Sequence, residues 1–365
     1  MKTYLKAFFK TFEILGLLYI FLLSIEMMGI GFKLFGKEFA QTLMETTSSP
    51  FVGLFIGILV TSLVQSSSTV TSIVVGMVAG GTLTISGAIP IVMGANIGTS
   101  VTNIIVSMGS ISRRGEFRDA FAAATVHDFF NVLCVLILFP LQASFNVLGV
   151  LSKEMAGIFI GSQGLTFKSP LKIIVNPVAT WIVDLLNRNP ILVVIIALVF
   201  LFIALRYIVA VLKSVFMGRA ENFFNKVIFR SPVTALLFGI ILTVLVQSSS
   251  ITTSLVVPIV GSGILTLVQV YPYTIGANIG TTITAVLASL VTGKTSALIV
   301  AFAHFLFNTI GAILVLSIPP LRNIPLWGAR KLSNVVFDNR WVAVVFLISF
   351  FFVLPLVVIF SSIFH

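Results

Sequence analysis

Gln65-Ser66-Ser67-Ser68 interrupts a long apolar stretch of the chain, and the same four residues return as Gln247-Ser248-Ser249-Ser250. Apolar residues flank both tetrapeptides on either side. Polar groups in irregular backbone cannot face lipid, because they would lack hydrogen-bond partners there. The tetrapeptides are therefore predicted to form the tips of two helical hairpins, buried in protein near the middle of a membrane.

The two tetrapeptides belong to an internal repeat of the sequence. The offset of 182 residues between them also carries Gly94-Ala95-Asn96-Ile97-Gly98-Thr99 onto Gly276-Ala277-Asn278-Ile279-Gly280-Thr281. Across some sixty residues no gap is needed and roughly half of the positions are identical. A His-x-x-x-Asn pattern follows in each half, at His127 and His304. Two homologous halves are the interpretation that accounts for this duplication.

The composition of the 365-residue chain is that of a membrane protein. Hydrophobic residues make up 58% and charged residues only 9%, so that the apolar surface exceeds what a water-soluble domain can bury. The formal net charge of +11 is carried largely by short basic connections, which mark cytoplasmic loops of membrane proteins. A nucleic-acid partner is therefore not expected, and the lipid bilayer is the predicted solvent.

The predicted fold is an all-α polytopic membrane protein with two inverted-topology repeats, each containing a re-entrant helical hairpin and a broken transmembrane helix. Residues 141–190 are expected to be an external connection, and residues 321–365 a cytoplasmic connection followed by a C-terminal apolar helix. The first repeat (1–140) is predicted to contain a first helix near 11–33, a hairpin at 51–82, a broken helix at 86–108 and an exit helix at 117–140. The second repeat (191–320) is predicted to contain a first helix near 191–213, a hairpin at 232–264, a broken helix at 268–290 and an exit helix.

The basic residues predict the orientation. Lys2, Lys6 and Lys10 place the N-terminus in the cytoplasm, since Lys and Arg are enriched in cytoplasmic loops. Three crossings in each half then make the second half run opposite to the first, as in inverted repeats. Pro355 interrupts the last apolar segment, and the side of the C-terminus stays open.

Both tips have the chemistry of an anion site. The helix after each tip is expected to begin near Thr69 or Ile251, where its first amides lack intrahelical partners and the helix dipole adds positive potential. Neither hairpin contains Lys or Arg, so a bound anion would need co-bound cations, which gives a reason for coupling to sodium. The candidate substrate-binding residues are Gln65, Ser66, Ser67, Ser68, Gln247, Ser248, Ser249 and Ser250.

A second group of polar residues offers oxygen ligands for sodium. From spacing alone, the Asn and Thr residues at each helix break serve equally well as cation ligands or as partners for the broken backbone. Asp128 has no acidic counterpart in the second half, where Phe305 takes its place, and a carboxylate within a span is a functional candidate. Glu26 is a weaker candidate of the same kind. The candidate sodium ligands are Asp128, Asn96, Thr99, Thr102, Asn278, Thr281, Thr284, Gln65 and Gln247.

Other interpretations of these residues stay open at this point. Small residues such as Gly57 and Gly239 usually allow close helix packing in membranes, and His127 and His304 are typical structural hydrogen-bond partners. A membrane-embedded serine hydrolase with Ser67 as nucleophile and His127 as base is a rival, although a dyad does not require duplication. A passive anion channel is a second rival, which a dependence of uptake on a sodium gradient would exclude.

These motifs, together with Ala-Thr-Val-His-Asp-Phe-Phe-Asn at residues 124–131, resemble the type II sodium-phosphate cotransporters over nearly the whole chain. The resemblance implies sodium-driven import of divalent phosphate, no enzymatic activity, and a substrate site shared by the two serine-rich tips. It also implies that Thr281 and Thr284 match sodium-ligating positions.

Two further expectations come from the same resemblance. Asp128, preceded by Ala122 and Ala124, is similar to the pattern of electrogenic members of that family, so transport is expected to move net charge. The connection at 142–190 lacks cysteine and the Asn-x-Ser/Thr sequence for glycosylation, and this departure from the animal members indicates a bacterial inner-membrane protein.

Overall fold

The computed structural model describes residues 49–79, 83–158, 170–216, 228–246, 248–292 and 294–363, together with isolated positions between 12 and 34. In these parts of the chain all regular structure is helical. Gln247, Glu26, the three N-terminal lysines and most of the predicted first helix near 11–33 lie outside the described residues.

The helices follow the order predicted from the repeat. The first half contains helices Pro50–Val64, Ser67–Ala79, Ile85–Gly98, Val101–Met108 and Arg114–Phe145, and the second half contains Pro190–Phe216, Pro232–Val246, Ser249–Gly261, Leu267–Thr292 and Thr295–Ser317. The connection between the halves holds helices Val147–Ile158 and Pro170–Leu185, and the C-terminal part holds Pro319–Asp338, Trp341–Ile348 and Leu354–Ile363.

Four stretches are long and apolar enough to cross a membrane. Within the described part of the chain, these stretches are Ile85–Met108, Arg114–Phe145, Thr295–Ser317 and Trp341–Ser362. By contrast, the helix Pro50–Val64 has 15 residues and is about 22 Å long at 1.5 Å per residue, less than the roughly 30 Å of a hydrocarbon core. The other hairpin helices are equally short or shorter.

Glycines bring the first helix of each hairpin into backbone contact with the helix that follows the hairpin. A methyl group at Gly57 would lie 2.0 Å from the carbonyl oxygen of Ile91, and one at Gly239 would lie 2.2 Å from that of Tyr273. Gly94 and Gly276 meet the opposite helix as closely. The packing role predicted for Gly57 and Gly239 is therefore confirmed, and the contact is duplicated in the two halves.

The second helix of each hairpin packs against the other half of the molecule. Ser249–Gly261 contacts Val101–Met108 and Arg114–Phe145, while Ser67–Ala79 contacts Leu267–Thr292 and Thr295–Ser317. The two polar tips are thereby anchored across the interface between the halves.

The predicted helix break is present in the first half and absent from the second. Helix Ile85–Gly98 ends before Thr99, and the next helix begins at Val101, whereas Leu267–Thr292 is continuous, contrary to the break predicted within 268–290. The Ser100 hydroxyl reaches across to His127. Its counterpart Thr282 instead donates to the Ile279 carbonyl of its own helix.

The ends of the two halves also depart from the predicted outline. In its described part, the connection at 141–190 contains the end of the helix Arg114–Phe145 and the helices Val147–Ile158 and Pro170–Leu185. Near the C-terminus a π-helical turn, Ser349–Val353, precedes Pro355. Proline lacks the amide hydrogen and clashes with the preceding turn, so the predicted interruption takes the form of a widened turn within one span.

Candidate functional site

The first tip is a tight turn between two helices. Gln65 closes the helix Pro50–Val64 in a left-handed conformation with φ 57°. The Ser66 hydroxyl then accepts a hydrogen bond from the Thr69 amide at 3.2 Å, as a helix-capping side chain does. The following helix begins at Ser67, two residues earlier than predicted, so Ser67 and Ser68 supply its first amides.

In the described part of the second tip, a serine again caps the following helix. Ser248 caps the helix Ser249–Gly261 by accepting from the Ile251 amide at 3.4 Å, and this helix also begins two residues before the predicted start. Ser249 and Ser250 are each 3% exposed. Amides in the first turn of a helix lack intrahelical partners, so both tips combine free amides, hydroxyl groups and the positive end of a helix dipole.

Of the predicted sodium ligands, Thr102 is brought directly to a tip. Its hydroxyl donates to Gln65 Oε1 over 2.6 Å, which joins the helix Val101–Met108 to the first hairpin. Thr99 and Thr281 instead donate to carbonyls of their own helices, each at 3.0 Å. Thr284 is half-buried on the continuous helix.

The two asparagines of the repeated Gly-Ala-Asn-Ile-Gly-Thr segments are exchanged between the halves. Asn96 Oδ1 accepts from His304 Nε2 at 3.2 Å and from Asn308 Nδ2 at 3.1 Å. Asn278 Oδ1 accepts from His127 Nε2. Each segment thus bonds to the His-x-x-x-Asn pattern of the opposite exit helix, and all these side chains are buried.

Asn131 extends this network, because it donates to the Asn96 carbonyl at 2.9 Å and accepts from Asn278 Nδ2 at 2.7 Å. His127 Nδ1 accepts from the Ser100 hydroxyl, since Nε2 must carry the hydrogen donated to an amide oxygen. Both ring nitrogens therefore have partners, and neither is Ser67. This geometry supports the structural role predicted for the histidines and gives no Ser67–His127 dyad.

Asp128 stands next to this network without a hydrogen bond. It is 2% exposed, and within the described part of the chain neither carboxylate oxygen has a partner. Ser100 is a polar neighbour of the carboxylate, but its hydroxyl is bonded to His127. A buried carboxylate without a partner is costly, so a bound cation beside Asp128 would satisfy it.

Asn103 is a site residue that the sequence analysis missed. Its Oδ1 accepts from Thr253 at 2.9 Å and from Ser254 at 3.0 Å, both on the second hairpin. Its Nδ2 has no partner among the described residues. The sequence does contain a pattern that distinguishes Asn103, because the repeat places Ala285 at the equivalent position of the second half. The same loss of symmetry distinguishes Asp128, whose equivalent is Phe305.

These features define an integral membrane protein whose two homologous halves enclose a buried polar centre with duplicated serine tips. Residues 20–166 and 189–316 match the Na+/Pi-cotransporter family, and the chain belongs to that family. The resemblance noted in the sequence is confirmed.

Individual relatives support the assignment. The chain is 34% identical over 442 residues to sodium-dependent phosphate transport protein 2B of Homo sapiens and of Pongo abelii, covering 94% of this chain and 64% of each relative. It is 36% identical over 419 residues to sodium-dependent phosphate transport protein 2A of Rattus norvegicus, covering 93% of this chain and 66% of that relative. The chain thus spans slightly less than two thirds of these relatives, and a search of solved structures returned no significant match.

Proposed function

We propose that this protein is a sodium-coupled secondary active transporter that imports inorganic phosphate, in its divalent form, by alternating access. The observation that carries the proposal is the duplicated tip, in which a serine cap, free helix amides and buried hydroxyls occur without any Lys or Arg in the hairpins. The printed names of the relatives, which are sodium-dependent phosphate transport proteins, supply the substrate and the coupling ion.

The proposed phosphate site lies between the tips. Ser66, Ser67 and Ser68 would act from the first hairpin and Ser248, Ser249 and Ser250 from the second, each with hydroxyl and amide hydrogens directed to phosphate oxygens. Neither hairpin has a cationic side chain to offset the two negative charges of the anion. Sodium ions bound beside the phosphate are therefore needed to lower the free energy of placing it in a medium of low dielectric constant.

The proposed sodium ligands are hard oxygen donors around this region. Gln65 and Thr102 are already in contact, and Gln247, Thr99, Thr281, Thr284, Asn96 and Asn278 complete the candidate set. Asp128 is the only one of these candidates with a charge. A sodium ion at its unpartnered carboxylate would make transport electrogenic, because that ion adds positive charge to each cycle.

Alternating access would use the two hairpins as opposed gates. We assign them as re-entrant, because their helices are too short to span the membrane, and as inverted, because the basic residues predict opposite directions for the two halves. The contact of each hairpin with the other half would let binding at one tip affect the position of the opposite half. Placement in a bacterial inner membrane with a cytoplasmic N-terminus belongs to the same proposal.

Uptake of radiolabelled phosphate into proteoliposomes tests the function. Uptake above that of protein-free liposomes should require an inward sodium gradient and should stop when potassium or choline replaces sodium. Excess unlabelled phosphate should compete. Phosphate entry that is equally fast without sodium would favour a passive anion channel, and hydrolysis of an ester without accumulation of phosphate in the lumen would favour the hydrolase.

A further inference from the structure

A cavity lies outside the polar centre, beside the helix that follows the second repeat. Its volume is about 620 Å³, and its walls come from the helix Pro319–Asp338, the start of Leu267–Thr292 and Pro232 at the start of the second hairpin. This volume is within the range of about 300–1,000 Å³ that is usual for small-molecule sites. We name it the basic cavity, because Arg322, Arg330 and Lys331 line it.

The positive charge of the basic cavity is not neutralised by protein carboxylates in the described part of the chain. The ion pairs there join Arg113 to Glu116, Arg118 to Asp119 and Arg188 to Asp184, and none involves a cation of the cavity. The Lys331 ammonium lies 4.8 Å from the centre of the Trp327 ring, a contact that holds the charge in place without cancelling it.

Neutral donors complete the lining. Asn334 offers an amide. Tyr271 forms part of the wall and its ring packs edge-on against Phe130, while its hydroxyl is buried and has no hydrogen-bond partner among the described residues. Because this hydroxyl has almost no accessible surface, Asn334 rather than Tyr271 is the neutral donor of the two that an anion in the cavity can reach.

The position of this helix indicates the edge of the membrane. Trp327 is 63% exposed although it is large and apolar, and Trp beside Lys and Arg is typical of the boundary between lipid and water. Basic pockets between membrane helices at the cytoplasmic face recognise phosphate groups of anionic lipids. Two basic side chains one after another, Arg330 and Lys331, fit a group that carries more than one anionic oxygen.

We propose that the basic cavity binds a phosphate-bearing anion, which is supplied either by the headgroup of an anionic phospholipid or by inorganic phosphate. This site is separate from the serine tips and does not depend on the proposed transport. Arg330 also lines a neighbouring cavity of about 400 Å³ that contains Arg118 and Asp119. Replacing Arg330 with a neutral residue is therefore the most informative single substitution.

The test uses Trp327 as a reporter. The chain has three tryptophans, and Trp181→Phe with Trp341→Phe leaves Trp327 alone. In vesicles of phosphatidylcholine, brominated phosphatidylglycerol should quench Trp327 more strongly than brominated phosphatidylcholine at equal mole fraction. Arg330→Gln should reduce this preference about fivefold, as expected from the loss of one basic residue near a membrane surface. Lys331→Gln is the substitute if Arg330→Gln fails to fold.

Two further arms identify the source of the anion. Arg114→Gln removes an exposed charge outside the cavity and should leave the preference unchanged. In phosphatidylcholine alone, a saturable change of Trp327 emission with inorganic phosphate, weakened by Arg330→Gln, would identify free phosphate. A preference for the anionic lipid with no such change would identify the headgroup. Absence of both effects, or an equal loss with Arg114→Gln, would overturn the proposal.

Discussion

The two halves of the molecule share a frame and differ in a few buried polar residues. Asn96 bonds to His304 as Asn278 bonds to His127, and Gly57 meets Ile91 as Gly239 meets Tyr273. Only the first half has Asp128, where the second has Phe305. The duplicated residues therefore build the interface, and the unmatched residues are free to supply what the proposed transport cycle requires on one side.

Several differences between the halves occur around His127. The Ser100 hydroxyl bonds to His127, whereas Nδ1 of His304 has no partner in the described part of the chain. The helix is broken at Ser100, and Asp128 follows His127 on the exit helix. The symmetry between the two halves is thus lost at the position where we propose that a sodium ion binds. Substitutions at matched and unmatched positions of the two halves test this difference.

The largest effect is expected from the glycines. Gly57→Ala and Gly239→Ala should each prevent correct folding, because the added methyl group would lie about 2 Å from a backbone carbonyl oxygen that cannot move away. The measurement is the yield of monodisperse protein and its Tm in detergent. Gly115→Ala, with open space around that residue, is the control. Sensitivity at only one of the two positions would contradict an equivalent packing role in the two halves.

The next largest effect is expected from Asn96 and Asn278, which bond to histidines of the opposite halves. Asn96→Ala and Asn278→Ala should each lower stability by about 1–3 kcal/mol, because the histidine that donates to each amide is left buried without an acceptor. Thermal unfolding in detergent measures this loss, and Asn323→Ala, on an exposed part of Pro319–Asp338, is the control. If one variant is as stable as the parent, the two networks are not energetically equivalent.

The serine tips should affect transport with little effect on stability. Ser67→Ala and Ser249→Ala should each reduce sodium-dependent phosphate uptake roughly 10- to 100-fold, the loss of one hydrogen bond to a charged group. Ser72→Ala and Ser262→Ala are matched controls, because both hydroxyls bond only to carbonyls of their own helices. Undiminished uptake in both tip variants would show that the tips are packing elements.

The smallest change in rate, and the sharpest test of asymmetry, concerns Asp128. Asp128→Gly should retain sodium-dependent uptake, show a shallower dependence on sodium concentration and lose its response to voltage, which is worth about 2.3 kcal/mol per charge for 100 mV. Uptake is measured with a potassium-valinomycin potential of either sign, and Phe305→Gly is the control in the second half. A variant as voltage-sensitive as the parent would transfer the role to another ligand, with Glu26 tested next.

Local sequence patterns were sufficient for the hairpins and for most of the helix order. Four polar residues between apolar runs predict a turn, and the duplication predicts that both turns are of one kind. The patterns did not locate the helix starts, because a serine can cap the helix from Ser66 or continue it from Ser67 with equal ease. The break predicted in both halves is present only in the first, where the Ser100 hydroxyl bonds to another helix, whereas the Thr282 hydroxyl bonds within its own helix.

By itself the sequence determined the membrane environment, the two homologous halves and the polar tips, because composition, periodicity and repetition depend only on neighbours along the chain. Only the tertiary structure decided which half each polar residue serves. The groups that donate to Asn96 Oδ1 and Asn103 Oδ1 are more than 145 residues distant, and the symmetry that exchanges them arises when the halves pack. Buried polar groups take the partners that packing brings within about 3 Å, and no local pattern specifies those partners.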